Sequence, residues 1–158
     1  PVSIGVDGAA SNEAADMISE THAAWLMQRA RRGELARAQS EGGSTEGGAD
    51  AARIEDVVRW GTAGGAAVLG LDGIGTLVPG QAADLAVYRL DDPRYFGLHD
   101  VAIAPVSSGG RPTLRALLVG GRVIAQDDAI PGVDLAELGA QARAAVGQLQ
   151  QRAERMAA

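Results

Sequence analysis

Cysteine is absent from this 158-residue chain. Disulfides and thiolate metal sites are therefore excluded, and a reducing compartment is permitted without being proved. Aromatic residues make up only 3% of the sequence, so any core must be packed from small aliphatic side chains. Lysine is missing as well, since all 14 basic residues are arginine. A phosphate loop of the Walker type needs a Lys after its glycines, and Gly61-Thr62-Ala63-Gly64-Gly65 has none. No apolar run approaches the ~18 residues of a membrane span. No basic segment followed by an apolar one opens the chain, so no secretory leader is read, and a cytoplasmic location is expected with no membrane partner. The net charge of −6 and pI near 4.8 run against nucleic-acid binding, which leaves a basic footprint. The one basic cluster, Arg29-Ala30-Arg31-Arg32, reads as a helix end where cations complement the dipole.

What is present is a chain that is 46% hydrophobic with a mean hydropathy of +0.01, as expected for a soluble globular domain. The length suffices for one core but not for a whole (β/α)₈ barrel, which needs about 250 residues. The chain opens on Pro1 one residue before strand-like text, which reads as a piece of a longer protein. Residues 2–7, with Val2, Ile4 and Val6 apolar, predict a buried strand. Ser11 or Asn12 is placed to cap a helix from about Glu13 to Arg32, with Gly33 as its stop. Residues 38–50 are polar and Gly-rich and read as a surface loop. Helices are expected over 53–60 and 62–70, the second so rich in glycine that it must approach another element closely.

From Leu71 the text changes to turns and strands. Ile74-Gly75-Thr76-Leu77 reads as turn and strand, and residues 83–90 as a strand with Leu85 and Val87 on one face. A loop over 91–100 follows. Leu114–Val119 and Arg122–Ala125 flank Gly120-Gly121 as a hairpin. Residues 134–156 predict a long Ala-rich helix with Leu135, Leu138, Ala142, Val146, Leu149 and Ala153 at helical spacing.

Few residues could carry chemistry. Asp7, at the end of the first strand-like segment and before a Gly8-Ala9-Ala10-Ser11-Asn12 loop, can be a metal ligand, a general base, a turn former or a charge at a helix start. His22 lies within the first helix and reads as a structural or surface histidine. His99 is followed by Asp100, which could orient its ring, so it either lines a site or holds a loop. One His with one Asp does not make a metal site, because a catalytic zinc takes three protein ligands. Ser107-Ser108-Gly109-Gly110 reads as a turn, and the Gly-x-Ser-x-Gly nucleophile elbow is absent.

Three blocks together resemble the amidohydrolase superfamily, in its cytosine/guanine-type aminohydrolase branch. They are Gly5-Val6-Asp7-Gly8-Ala9-Ala10-Ser11-Asn12; Thr62 to Gly70 with Gly75-Thr76-Leu77-Val78-Pro79-Gly80-Gln81-Ala82-Ala83-Asp84-Leu85; and Tyr95-Phe96-Gly97-Leu98-His99-Asp100 with Pro105 to Pro112. The third block is most similar to isoxanthopterin-type deaminases, and the whole is also similar to 8-oxoguanine deaminases and triazine hydrolases. The resemblance implies an α/β fold: the C-terminal portion of a metal-dependent hydrolase (β/α)₈ barrel with part of its small β-sandwich. Residues 1–70 would hold the last barrel strand and following helices, 71–130 the sandwich part and 131–158 a C-terminal helix.

The same resemblance implies hydrolytic deamination of an amino-substituted N-heterocycle, a pterin or a purine, with a small-molecule substrate as the partner. It implies one divalent metal ion, zinc ahead of iron. Asp7 would be both a metal ligand and the general base, and the remaining ligands and a glutamate shuttle belong to segments absent here, so the chain alone should be inactive. Ser11, Asn12 and His99 are the substrate-binding candidates, although fixing the loop by hydrogen bonds to backbone is the favoured reading for Ser11 and Asn12. The long helix either covers the sandwich or meets a second subunit in a homodimer. Two alternatives stay open: a triazine-type chlorohydrolase or aminohydrolase, and a non-catalytic α/β module in which Asp7 only caps a helix.

Overall fold

The computed structural model describes residues 1–8, 10–13, 15–42 and 52–157. Residues 1–8 form no strand, contrary to the sequence reading. An extended segment becomes a strand only when a neighbour takes up its N–H and C=O groups. None of the strands among the described residues does so for this one.

Helix α1 spans Met17–Ser40. Its cap is Asp16, not Ser11 or Asn12: Asp16 Oδ1 accepts from the Ile18 N–H at 3.0 Å and Oδ2 from the Ser19 hydroxyl at 2.6 Å. Ser11 and Asn12 are engaged one turn earlier, where both their N–H groups donate to the Gly8 carbonyl at 2.9 and 3.0 Å. Gly33 does not stop the helix. A glycine ends a helix by turning left-handed, and Gly33 is not among the positive-φ residues. The arginine run therefore lies mid-helix rather than at its end, with Arg29 5.9 Å from the Trp25 ring centre and Arg32 donating to the Ala52 carbonyl at 3.1 Å. Of the expected 38–50 loop, residues 38–40 are helical, 41–42 form a turn and 43–50 lie outside the described residues.

Helices α2 (Ile54–Trp60) and α3 (Ala63–Leu69) fall where the sequence put them. Their glycines do mark close approach: a Cβ at Gly61 would lie 2.9 Å from Thr21 Oγ1, and one at Gly64 would collide with the Val2 carbonyl. Residues 71–84 contain no strand, because Gly73, Gly75 and Gly80 take φ values of 81°, 86° and 93° and turn the chain repeatedly.

The sheet is antiparallel, in the order β1 (Leu85–Tyr88), β2 (Leu114–Val119), β3 (Arg122–Gln126). Gly120 and Gly121 both have positive φ, as a two-residue hairpin turn requires. Between β1 and β2, Asp100 caps a 3-10 turn at Val101–Ile103 that leads into helix α4 (Ala104–Ser108), so Ser107 and Ser108, read from the sequence as part of a turn, end a helix. Ile54, Ile103 and Val106 form the core, with Trp25 and Val58 against it; Val57 and Ala104 are completely enclosed. Helix α5 (Leu135–Ala157) is as long as expected, yet none of its residues is buried. Among the described residues no helix is long and apolar enough to cross a membrane.

Candidate functional site

Asp7 has φ +61°, a left-handed conformation that a non-glycine residue adopts at a cost of order 1 kcal/mol. Its side chain is exposed, and Oδ1 accepts from the Gly8 N–H at 2.7 Å. No ion pair is formed by Asp7 among the described residues. It caps no helix, since that role belongs to Asp16. Ser11 and Asn12 follow, their N–H groups on the Gly8 carbonyl, and the Asn12 amide donates Nδ2 to Glu20 Oε1 on α1 at 2.7 Å. Ser11 is exposed.

His99 lies on a different loop and is exposed, and the Asp100 carboxylate beside it accepts from the Ala102 N–H at 2.8 Å. No hydrogen bond joins His99 to Asp7 or Ser11 among the described residues. His22 has a structural partner, its Nδ1 donating to the Val106 carbonyl at 2.6 Å. Asp7, Ser11 and Asn12 thus lie on one loop and His99 on another, with no hydrogen bond between the two among the described residues. Two residues that sequence reasoning passed over matter here, Asp16 and Glu20. An Asp directly before the apolar pair Met17-Ile18 is a helix-start signal that could have found the first. Nothing in the spacing marks the second, because its partner is eight residues away across a turn.

No group of three or more metal-ligating side chains converges among the described residues. A catalytic zinc takes three protein ligands, so these residues do not make a metal centre by themselves. A cavity of about 350 Å³ does open between α1, β1 and α4. Ile18, Thr21, Ala86, Tyr88, Val101 and Val106 are among its walls, and none of Asp7, Ser11, Asn12 or His99 is. Burial pushes the Tyr88 phenol up from its ordinary value, and the Asp16 charge adds to that. The walls of the cavity are mostly apolar and carry no carboxylate, imidazole or cation.

The pattern of the Amidohydrolase family matches residues 1–124. The chain belongs to the amidohydrolase family. An isoxanthopterin deaminase from an unknown prokaryotic organism is 65% identical over 149 residues, covering 94% of this amidohydrolase chain and 31% of that protein. An 8-oxoguanine deaminase of Pseudomonas aeruginosa is 38% identical over 94% of this chain and 30% of its own length. The chain therefore spans about a third of the curated relatives it matches. Among solved structures, an amidohydrolase from a Sargasso Sea environmental sample superposes with a TM-score of 0.79 at 57% identity, covering 97% of this chain and 32% of that one. A Xanthomonas campestris adenosine deaminase with bound zinc gives 0.74 at 28% identity, over 94% of this chain and 31% of its own.

Proposed function

We propose that this amidohydrolase chain is the C-terminal part of a hydrolase that deaminates an amino-substituted N-heterocycle, an isoxanthopterin-like pterin ahead of an 8-oxoguanine-like purine. The observation that carries the reading is the 65% identity to an isoxanthopterin deaminase over 94% of the chain. The state of Asp7 agrees with it. A carboxylate held in a left-handed loop, exposed and committed to no ion pair or helix cap among the described residues, is available to reacting atoms. Residues 1–8, paired with no strand among the described residues, suit a last barrel strand whose neighbours belong to other segments, with β1 to β3 as part of the small sandwich.

In this reading Asp7 is the general base. Its carboxylate takes the proton of the attacking water and delivers it to the departing amine, a role that contributes typically 10²–10⁴-fold. Zinc is named with the related Xanthomonas structure; this chain offers one carboxylate toward such an ion, and the other ligands would come from outside residues 1–158. The test is ammonia release by the protein as expressed from its gene, with isoxanthopterin, 8-oxoguanine and a chlorotriazine offered in parallel. Isoxanthopterin is expected to give the highest kcat/KM. Chloride release from the triazine without ammonia from either deaminase substrate would replace deamination by dechlorination, and no turnover of any of the three sinks the reading.

A further inference from the structure

We infer that Glu20 is a positioning residue for Asp7, acting through the side chain of Asn12; the inference rests on the role proposed above for Asp7. Asp7 sits in a left-handed backbone conformation that is uncommon away from glycine and that its own bond to the Gly8 N–H supports only locally. A paired strand does not enforce it among the described residues, and neither does a salt bridge. The turn that follows Asp7 is closed on itself by the Gly8 carbonyl, which accepts from both Ser11 and Asn12. A turn closed only on itself can still swing as a unit. The 2.7 Å bond from Asn12 Nδ2 to Glu20 Oε1 fastens it to α1.

Helix α1 is a rigid anchor. Asp16 caps its start, and His22 ties its second turn to α4 through Val106. Glu20 belongs to the first turn of that helix, where the positive end of the dipole favours a carboxylate. The acceptor is therefore charged, which makes the Asn12 bond shorter and stronger than one between neutral groups. The chain of contacts runs from the anchored helix to Glu20, to Asn12, to the turn and so to Asp7. In a reaction that needs its base within hydrogen-bond reach of a water, a displacement of about 1 Å costs on the order of 10²-fold.

The experiment uses the protein as expressed from its gene, on the substrate it turns over best. Asn12→Asp sets two carboxylates against each other, and kcat is expected to fall at least about tenfold, with KM changed less than about threefold. Adding Glu20→Gln restores a donor and an acceptor with their roles exchanged, and kcat should return to within about threefold of the parent. Glu20→Ala and Asn12→Ala should each lower kcat, and the double variant should fall no further than the worse single one. The proposal is overturned if Glu20→Ala keeps parental kcat, if the swap does not recover activity in a protein that melts at the parental temperature, or if the two alanine effects multiply. Asp7→Asn measured alongside separates the two ideas. Full activity in that variant removes the base role itself, whereas an inactive Asp7→Asn beside an unaffected Glu20→Ala removes only the positioning.

Discussion

His22 and Gly109 fit together ring against bare backbone: a Cβ added at Gly109 would lie 2.6 Å from His22 Nε2. On its other side the same imidazole donates Nδ1 to the Val106 carbonyl. Helix α1 is thereby clasped to the end of α4, and the clasp exists only because residue 109 has no side chain. Gly109 also has φ 68° and ψ 178°, a region essentially reserved for glycine.

Gly109→Ala should accordingly destabilise the protein twice over. The backbone strain alone is worth about 1–3 kcal/mol, and the collision with His22 adds to it. Combining Gly109→Ala with His22→Ala should recover the steric part and leave the strain. Urea unfolding of the two variants checks this, and equal midpoints for Gly109→Ala and the parent would refute it.

Asp7→Asn should separate stability from turnover. Asparagine tolerates the left-handed conformation and can still accept from the Gly8 N–H, so the unfolding free energy should stay within about 0.5 kcal/mol of the parent. Turnover should drop by at least ~10²-fold, as loss of a general base requires. Near-parental kcat in a folded variant counts against the base role.

Asp16→Ala should show the opposite pattern in stability. It removes the acceptor for the Ile18 N–H and the Ser19 hydroxyl at the start of α1. Loss of such a cap costs about 0.5–2 kcal/mol. A melting temperature unchanged from the parent would show that α1 starts without it.

The pH dependence can be tested at Asp92. Its carboxylate accepts from the Arg94 N–H at 3.0 Å and from the guanidinium at 3.1 Å, and these bonds hold its pKa below the ordinary 3.8. A carboxyl depressed in the folded state stabilises it above the unfolded pKa and loses that effect as pH falls through the folded one. The melting advantage of the parent over Asp92→Asn should therefore be constant near neutral pH and shrink below about pH 4. An advantage that grows on acidification would reverse the assigned sign.

The hairpin was legible because two glycines between two apolar runs leave a sheet little choice of turn. The long α5 was legible because its period is carried by sequence alone, and its exposure was not, because a periodic face does not say what it meets. Residues 2–7 misled for a related reason: strand-like text describes side chains, whereas a strand is made by partners. The start of α1 was misplaced because Ser11 and Asn12 are good caps in general and are already held by Gly8 in this turn. At the site, Asp7 stood out in the sequence through its flanking glycines, while Glu20 became visible only once the turn folded back and brought Asn12 to it.

The capping of α1 by Asp16 leaves Asp7 and Asp16 with independent duties. The helix would survive replacement of Asp7 by Asn, and the bonds of Ser11 and Asn12 to the Gly8 carbonyl do not involve its side chain. On the role proposed above for Asp7, an Asp7→Asn variant of the whole protein should therefore hold its heterocycle with the amino group still attached, a complex suited to crystallisation.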